Sequence, residues 1–172
     1  MNPIYERSRP VTVRRALSGD VETIRAIRNH AIEHSTALWT QTLQSPAEAA
    51  AWLAAHLERG SAFVAEVEGE TAGFGVYGPW REKDGYRHTV EDSVYVRDGM
   101  YGLGIGSALL AELISSARDA GHHIMVAGIE AENTASIRLH KRYGFRLVGT
   151  VPEAGTKFDR WLDLTLMQLP LS

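Results

Sequence analysis

Three glycines spaced one residue apart, Gly102, Gly104 and Gly106, stand in the stretch DGMYGLGIGSALLAELI and run straight into an apolar helical pattern. Glycines at a helix start leave main-chain N–H groups bare, and those groups, with the positive end of the helix dipole, bind anions such as phosphate esters. A triphosphate loop requires GxxxxGK(S/T), whose lysine reaches the outer phosphates. No lysine lies between Lys83 and Lys141, which removes that option. The dinucleotide fingerprint G-x-G-x-x-G, begun at Gly102, meets Ser107 where it needs glycine or alanine, and it belongs on a first strand rather than behind several. Glycines that only relieve a tight strand-to-helix turn are a further, plainer explanation of such a loop when it is taken alone.

Three other clusters carry chemistry. In HTVEDSVYV the two-residue period places Thr89, Glu91, Ser93 and Tyr95 on one face and Val90, Val94 and Val96 on the other. An unpaired carboxylate is costly to bury in a central strand, so Glu91 reads as a functional base, acting directly or through water. In ENTASIRLHKRYGF, Asn133, Ser136 and His140 share one helix face. Asn133 also fits an N-cap, and His140 also fits a ring that only packs or hydrogen-bonds. The third cluster, HAIEH from His30 to His34, fits the H-x-x-E-H helix of an inverted zinc peptidase with Glu33 as base. A pattern this short arises by chance, and a zinc peptidase is the remote alternative.

The elements that must hold these residues follow from periodicity and punctuation. VTVRRA alternates as a first strand, and Asp20 is placed to cap a helix whose apolar face is Val21, Ile24, Ile27 and Ala31. Ser45, Pro46 and Glu48 make a capping-box start for a second helix that stops at Gly60. AFVAEV and TAGFGVYGP flank the turn Glu68-Gly69-Glu70 as a hairpin that Pro79 ends. The Glu91 strand leads into the glycine loop and a helix from Gly104 to Ala120, stopped by Gly121. HIMVAGI is a strand, residues 133–143 are a helix ended by Gly144, and FRLVGTV and FDRWLDLTLMQL are two final strands. The order β-α-α-β-β-β-α-β-α-β-β describes a mixed α/β chain around one central sheet, without the strict alternation of a doubly wound fold.

A chain of 172 residues, 44% of them hydrophobic, suits one domain over residues 11–172, with residues 1–10 as a disordered or loosely attached segment. The net charge of -3, with basic residues scattered, leaves no electrostatic footprint for nucleic acid. Without cysteine there is no disulfide, no thiolate nucleophile and no Cys-ligated zinc. MNPIYERSRP lacks the apolar core of a signal peptide and no apolar run reaches spanning length, so a soluble cytoplasmic protein with no membrane partner is expected.

Taken together, GLGIG at a helix start and N-x-x-S-x-x-LH-x-x-x-GF downstream resemble the acetyl-CoA site of the GNAT superfamily of N-acetyltransferases. A longer likeness covers Val11 to Leu169. GPWREKDGYRHTVEDSVYV, MVAGIEAENTASIRLHKRYGF and GTKFDRWLDLTLMQL look like the branch that acetylates phosphinothricin, methionine sulfoximine and methionine sulfone.

The resemblance implies the GNAT fold, a twisted, mostly antiparallel sheet of about seven strands with helices on both faces. It implies acetyl-CoA as co-substrate, no metal, a small amino-acid-like amine as acceptor, and a homodimer. The coenzyme diphosphate would lie on the amides of Gly102, Leu103, Gly104, Ile105, Gly106 and Ser107. The pantetheine arm would pair with Val94, Tyr95 and Val96, and Asn133 and Ser136 would contact the coenzyme. Glu91 would be the general base, and His140 stands where the wider family commonly has a tyrosine that protonates the thiolate. For the acceptor, Arg81 and Arg87 are the candidates for carboxylate binding, with Ser93, Thr36 and Trp39 around the side chain; Trp39 is more plainly a core residue. Lys157 and Phe158 fall in a shared motif without an assignable role. One departure is Tyr101, where the loop usually begins with Arg or Gln; Arg97 is the nearest substitute cation. An acyl-CoA-binding or sensing module that performs no transfer is the alternative from another class.

Overall fold

The computed structural model describes residues 10–172, so the expectation for the N-terminal segment falls largely outside the described residues. The chain runs β1 (Val11–Arg15), α1 (Val21–His34), α2 (Pro46–Arg59), β2 (Ala62–Val67), β3 (Glu70–Pro79), β4 (Thr89–Val96), α3 (Ile105–Asp119), β5 (Ile124–Glu130), α4 (Thr134–Arg142), β6 (Arg146–Lys157) and β7 (Arg160–Pro170). The strands form one seven-stranded sheet in the order β1-β2-β3-β4-β5-β7-β6. All neighbours are antiparallel except β4 and β5.

Local chemistry sets most boundaries. Ser45 accepts the Glu48 N–H while Glu48 reaches back to the Ser45 N–H at 2.8 Å, and Pro46 occupies the first helical position of α2. Gly60 closes that helix in the left-handed conformation. Glu68 and Gly69 both have positive φ, 53° and 84°, the two-residue turn whose twist matches flanking strands.

Two boundaries differ from the sequence pattern. Asp20 does not cap α1 with its side chain, because a 3-10 turn over Ser18–Asp20 already places it in helical dihedrals. Its carboxylate turns back instead, accepting the Leu17 N–H at 2.7 Å and pairing with Arg14 at 2.9 Å. Phe158 does not open the last strand: with Asp159 it forms the left-handed turn between β6 and β7, at φ 52° and 56°. That hairpin geometry outweighs the apolar pattern of FDRWL, and β6 extends to Lys157 past a register slip between Val151 and Gly155.

Helices cover both faces. On one face Ile24, Ile27 and Leu53 from α1 and α2 pack on Val64, Phe74 and Val76. On the other, Leu109, Leu110, Leu113 and Ala117 of α3 pack on Ala65, Val90, Met125 and Met167. The α3 stripe approaches the sheet closely because Gly73 has no side chain; a Cβ there would lie 2.9 Å from Ile105 Cγ2 and 2.7 Å from the Tyr95 carbonyl. Close packing at Gly73 seats the start of α3 against β4.

Candidate active site

The site begins where a ladder ends. β4 and β5 pair only over Thr89–Glu91 with Ile124–Val126. Beyond Glu91, among the described residues, the edge of β4 that faces away from β3 has no strand beside it, so its main-chain groups have no ladder partner there. Asp92 to Val96 on one side and Ala127 to Glu130 on the other become walls of a cavity of about 580 Å³. Glu91 stands at the vertex of the split.

The start of α3 closes one end of this cavity. Gly102 and Gly104 adopt φ 81° and 82°, which only glycine takes without strain, and Gly104 is an N-cap without a side-chain bond. The first main-chain bond of the helix comes from the Ala108 N–H to the Gly104 carbonyl at 3.0 Å, so the amides of Ile105, Gly106 and Ser107 precede the ladder. All three residues line the cavity, as do Val94, Tyr95, Val96, Gly102, Gly104, Asn133, Ser136 and His140. Leu103 does not; its side chain is exposed. Tyr101 lines the cavity and Arg97 does not, whereas Arg142 of α4, which the motif reading passed over, does.

The α4 wall carries a buried ion pair. Asn133 caps the helix by accepting the Ser136 N–H at 3.1 Å, and its amide nitrogen has no partner among the described residues. One turn on, His140 Nδ1 lies 2.8 Å from the Ser136 carbonyl and Nε2 lies 3.0 Å from Asp92 Oδ2. A carbonyl and a carboxylate both accept, an arrangement that favours the ring with both nitrogens protonated. Burial disfavours that charge, but the Asp92 hydrogen bond and charge, with the Ser136 carbonyl, outweigh it and raise the imidazole above its ordinary value. Asp92 was missed by motif reading. Its signal was present, an acid on the Val90–Val94–Val96 face, but its partner lies 48 residues away.

On the opposite face of β4 lies a second cavity of about 200 Å³, which includes Arg28, Trp52, His56, Glu91, Ser93 and Tyr95 in its wall. Ser93 and Tyr95 line both cavities. Burial, and then the charge of Asp92, push the Glu91 carboxyl above the usual range; the positive charge of Arg81 partly offsets them. Gly128 makes room for this group, since a Cβ there would lie 2.9 Å from Glu91 Oε1.

The remaining candidates sit around the rim. Arg81 is exposed and its guanidinium lies 4.7 Å from the Trp80 ring. Arg87 is exposed and donates to the Asp84 carbonyl of its own turn at 3.2 Å. Neither lines the smaller cavity. Thr36 donates to Glu130 Oε2 at 3.3 Å, and Trp39 donates from Nε1 to the Thr36 carbonyl at 3.0 Å. Trp39 fills the space a Cβ on Gly155 would occupy, and neither it nor Thr36 lines either of these two cavities, although the neighbouring Ser35 and Ala37 line the larger and Leu38 the smaller. Lys157 explains how that loop is held. Only 2% exposed, it donates to the carbonyls of Ser35 and Leu38, and burial lowers its ammonium below the ordinary lysine value. The rings of His30 and His34 are 4.5 Å apart, and among the described residues no three His, Cys, Asp or Glu side chains converge as a metal site. No described helix is long and apolar enough to cross a membrane.

Comparison with known proteins agrees with this architecture. The acetyltransferase (GNAT) family model matches residues 24–145. The chain is 46% identical over 162 residues to an L-methionine sulfoximine/L-methionine sulfone acetyltransferase of Pseudomonas aeruginosa, covering 93% of this chain and 94% of that one. It is 38% identical over 160 residues to a phosphinothricin N-acetyltransferase of Streptomyces viridochromogenes, covering 93% and 87%. An acetyltransferase structure from Salmonella typhimurium, solved with its cofactor acetyl-CoA, superposes with a TM-score of 0.92 at 44% identity, covering 95% of each chain.

Proposed function

The chain belongs to the acetyltransferase (GNAT) family, and from that premise we propose that it transfers acetyl directly from acetyl-CoA to the α-amine of a small amino-acid-like acceptor, methionine sulfoximine, methionine sulfone or phosphinothricin, with Glu91 as general base. The observation that carries this reading is the end of the β4–β5 ladder at Glu91, a residue of the smaller cavity's wall whose next neighbour on β4, Asp92, begins the wall of the larger one. The residues present suit acetyl-CoA: unpaired amides at a helix start for its diphosphate, and an unpartnered strand edge for its pantetheine arm. Bound there, it supplies an activated thioester carbonyl and a thiolate leaving group.

The chain's own groups then divide the work. Amides of Ile105, Gly106 and Ser107 hold the diphosphate, with Asn133 and Ser136 beside them, while Gly102, Leu103 and Gly104 shape the loop. The edge of Val94 to Val96 aligns the arm, and an amide there faces the charge that develops on the carbonyl oxygen. Glu91, held above its usual range by burial, accepts a proton from the acceptor's ammonium, directly or through water. As the nitrogen–carbon bond forms and the carbon–sulfur bond breaks, His140 gives its proton to sulfur and the nitrogen releases its second surplus proton to solvent, from which the ring is reprotonated; the Asp92 pair favours the charged ring that a donor requires. Arg81, whose charge reaches Glu91, suits the α-carboxylate adjoining the amine. Arg87, bonded to its own turn, is better placed for the rim than for the acceptor.

A homodimer belongs to the same reading. The β6–β7 hairpin leaves Leu147, Val148, Val151 and Trp161 exposed, Trp161 at 68%, which supports pairing with a second copy.

The test is turnover of acetyl-CoA with a panel of amino acids, monitored by thiol release. Release with the sulfoximine, the sulfone or phosphinothricin, and N-acetyl product by mass, is expected. Tight coenzyme binding without thiol release from any amine would make the chain a binding module instead.

A further inference from the structure

One charged group in the smaller cavity has no counterpart. Arg28 projects from α1, half-buried, with its guanidinium carbon 5.1 Å from the centroid of the Trp52 ring on α2. Stacking of this kind fixes a guanidinium plane while leaving its N–H edges available. Among the described residues Arg28 has no carboxylate in ion-pair reach and no side-chain hydrogen bond, whereas Arg14 pairs with Asp20 and Glu66 and Arg25 pairs with Glu22. Among the described residues the only acid in the cavity wall is Glu91, and the positive charge felt at Glu91 is that of Arg81. Arg28 lines the same cavity, where its charge is felt at Tyr95 and His56. His56 does not duplicate it: Nδ1 donates to the Tyr77 carbonyl at 3.2 Å, and burial lowers the ring below its ordinary value. At neutral pH Arg28 is therefore, among the described residues, the one fixed cation lining this cavity.

We infer that Arg28, braced by Trp52, is a specificity-determining residue that binds an oxygen-bearing anionic or strongly dipolar group, a phosphinate, sulfone or sulfoximine, at the far end of the acceptor's side chain. The inference rests on the acceptor reading above, with the amine at Glu91. An α-carboxylate is attached to the same carbon as the amine and so stays near Glu91, within the field of Arg81. A group several bonds further along is free to meet Arg28, which lines the same cavity wall. A guanidinium left half out of water without a counter-charge favours a ligand that brings negative charge to it.

The experiment compares phosphinothricin with L-norleucine, whose side chain is of similar length and lacks the oxygens, in wild type, Arg28→Met and Arg28→Lys. The readouts are KM and kcat by thiol release, Kd for phosphinothricin by calorimetry without acetyl-CoA, and Tm to show that each variant folds. Arg28→Met should raise Kd and KM for phosphinothricin by about tenfold or more relative to the change for norleucine, with part recovered in Arg28→Lys. An equal change for both acceptors, or an unaltered Kd, overturns the inference. Wild-type calorimetry with no phosphinothricin binding overturns it as well. Thiol release from no amino acid would instead defeat the acceptor reading, and phosphinothricin turnover that ignores Arg28 would leave that reading standing while removing this one.

Discussion

Replacing Asp92 with asparagine keeps the size of the side chain and removes its charge, which isolates what the Asp92–His140 pair contributes. The imidazole is 4% exposed and its Nε2 lies 3.0 Å from Asp92 Oδ2. Burial is the largest influence on this ring and acts to lower it, so without the carboxylate His140 should fall below its ordinary value. A hydrogen bond to a charged group contributes about 1.5–3 kcal/mol, which in a domain of this size corresponds to a Tm loss of roughly 3–12 °C. The loss should depend on pH. In wild type the raised folded-state value gives a stabilisation that is complete below the unfolded imidazole value of about 6.5 and disappears as pH rises through the folded one. In the variant the sign reverses, since a buried neutral ring must charge as pH falls. The difference in Tm between the two proteins should therefore widen from pH 8.5 to pH 5.5. Titration of the His140 Cε1 proton by NMR should show the variant below about 6.5 and wild type above it. A Tm difference independent of pH, with the His140 titration unmoved, would refute the buried ion pair and with it the charged donor.

Three further outcomes follow from the site. Glu91→Gln should lower kcat by about 10²- to 10⁴-fold while calorimetric acetyl-CoA binding is preserved, and an unchanged pH profile of kcat would remove Glu91 as base. Gly128→Ala should cost little in Tm, because the group it meets at 2.9 Å is the movable end of Glu91, yet it should reduce kcat by displacing that carboxylate; unimpaired turnover would place the reacting amine elsewhere. Arg81→Ala should chiefly raise KM for carboxylate-bearing acceptors, and an equal loss with simple amines would count against carboxylate recognition.

Legibility in the sequence followed the range of the interactions involved. The capping box at Ser45, the turn at Glu68-Gly69 and the Asn133 cap are closed by atoms within three residues of one another, so composition and spacing suffice to read them. The Gly102–Gly104 loop is equally local, because positive φ is a property of glycine itself. Phe158 shows the limit of such reading: an apolar residue in an apolar run reads as strand, yet it belongs to the turn that closes the hairpin. Lys157 shows a second limit, since the carbonyls it reaches are 122 and 119 residues away and nothing in GTKFDR signals them. Arg28 and Trp52, on separate helices, likewise look like ordinary members of two amphipathic patterns.

By itself the sequence determined the order of elements, the bare amides at the start of α3, the faces of β4 and the resemblance to an acetyltransferase family, all of which depend on residue type and short spacing. Only the tertiary structure decided that the β4–β5 ladder stops at Glu91, that Asp92 meets His140, and that Arg28 looks onto the same cavity as the carboxylate. The reason is physical: where two strands part is set by sheet register and by the helices packed on each face, through contacts between segments that no local pattern relates.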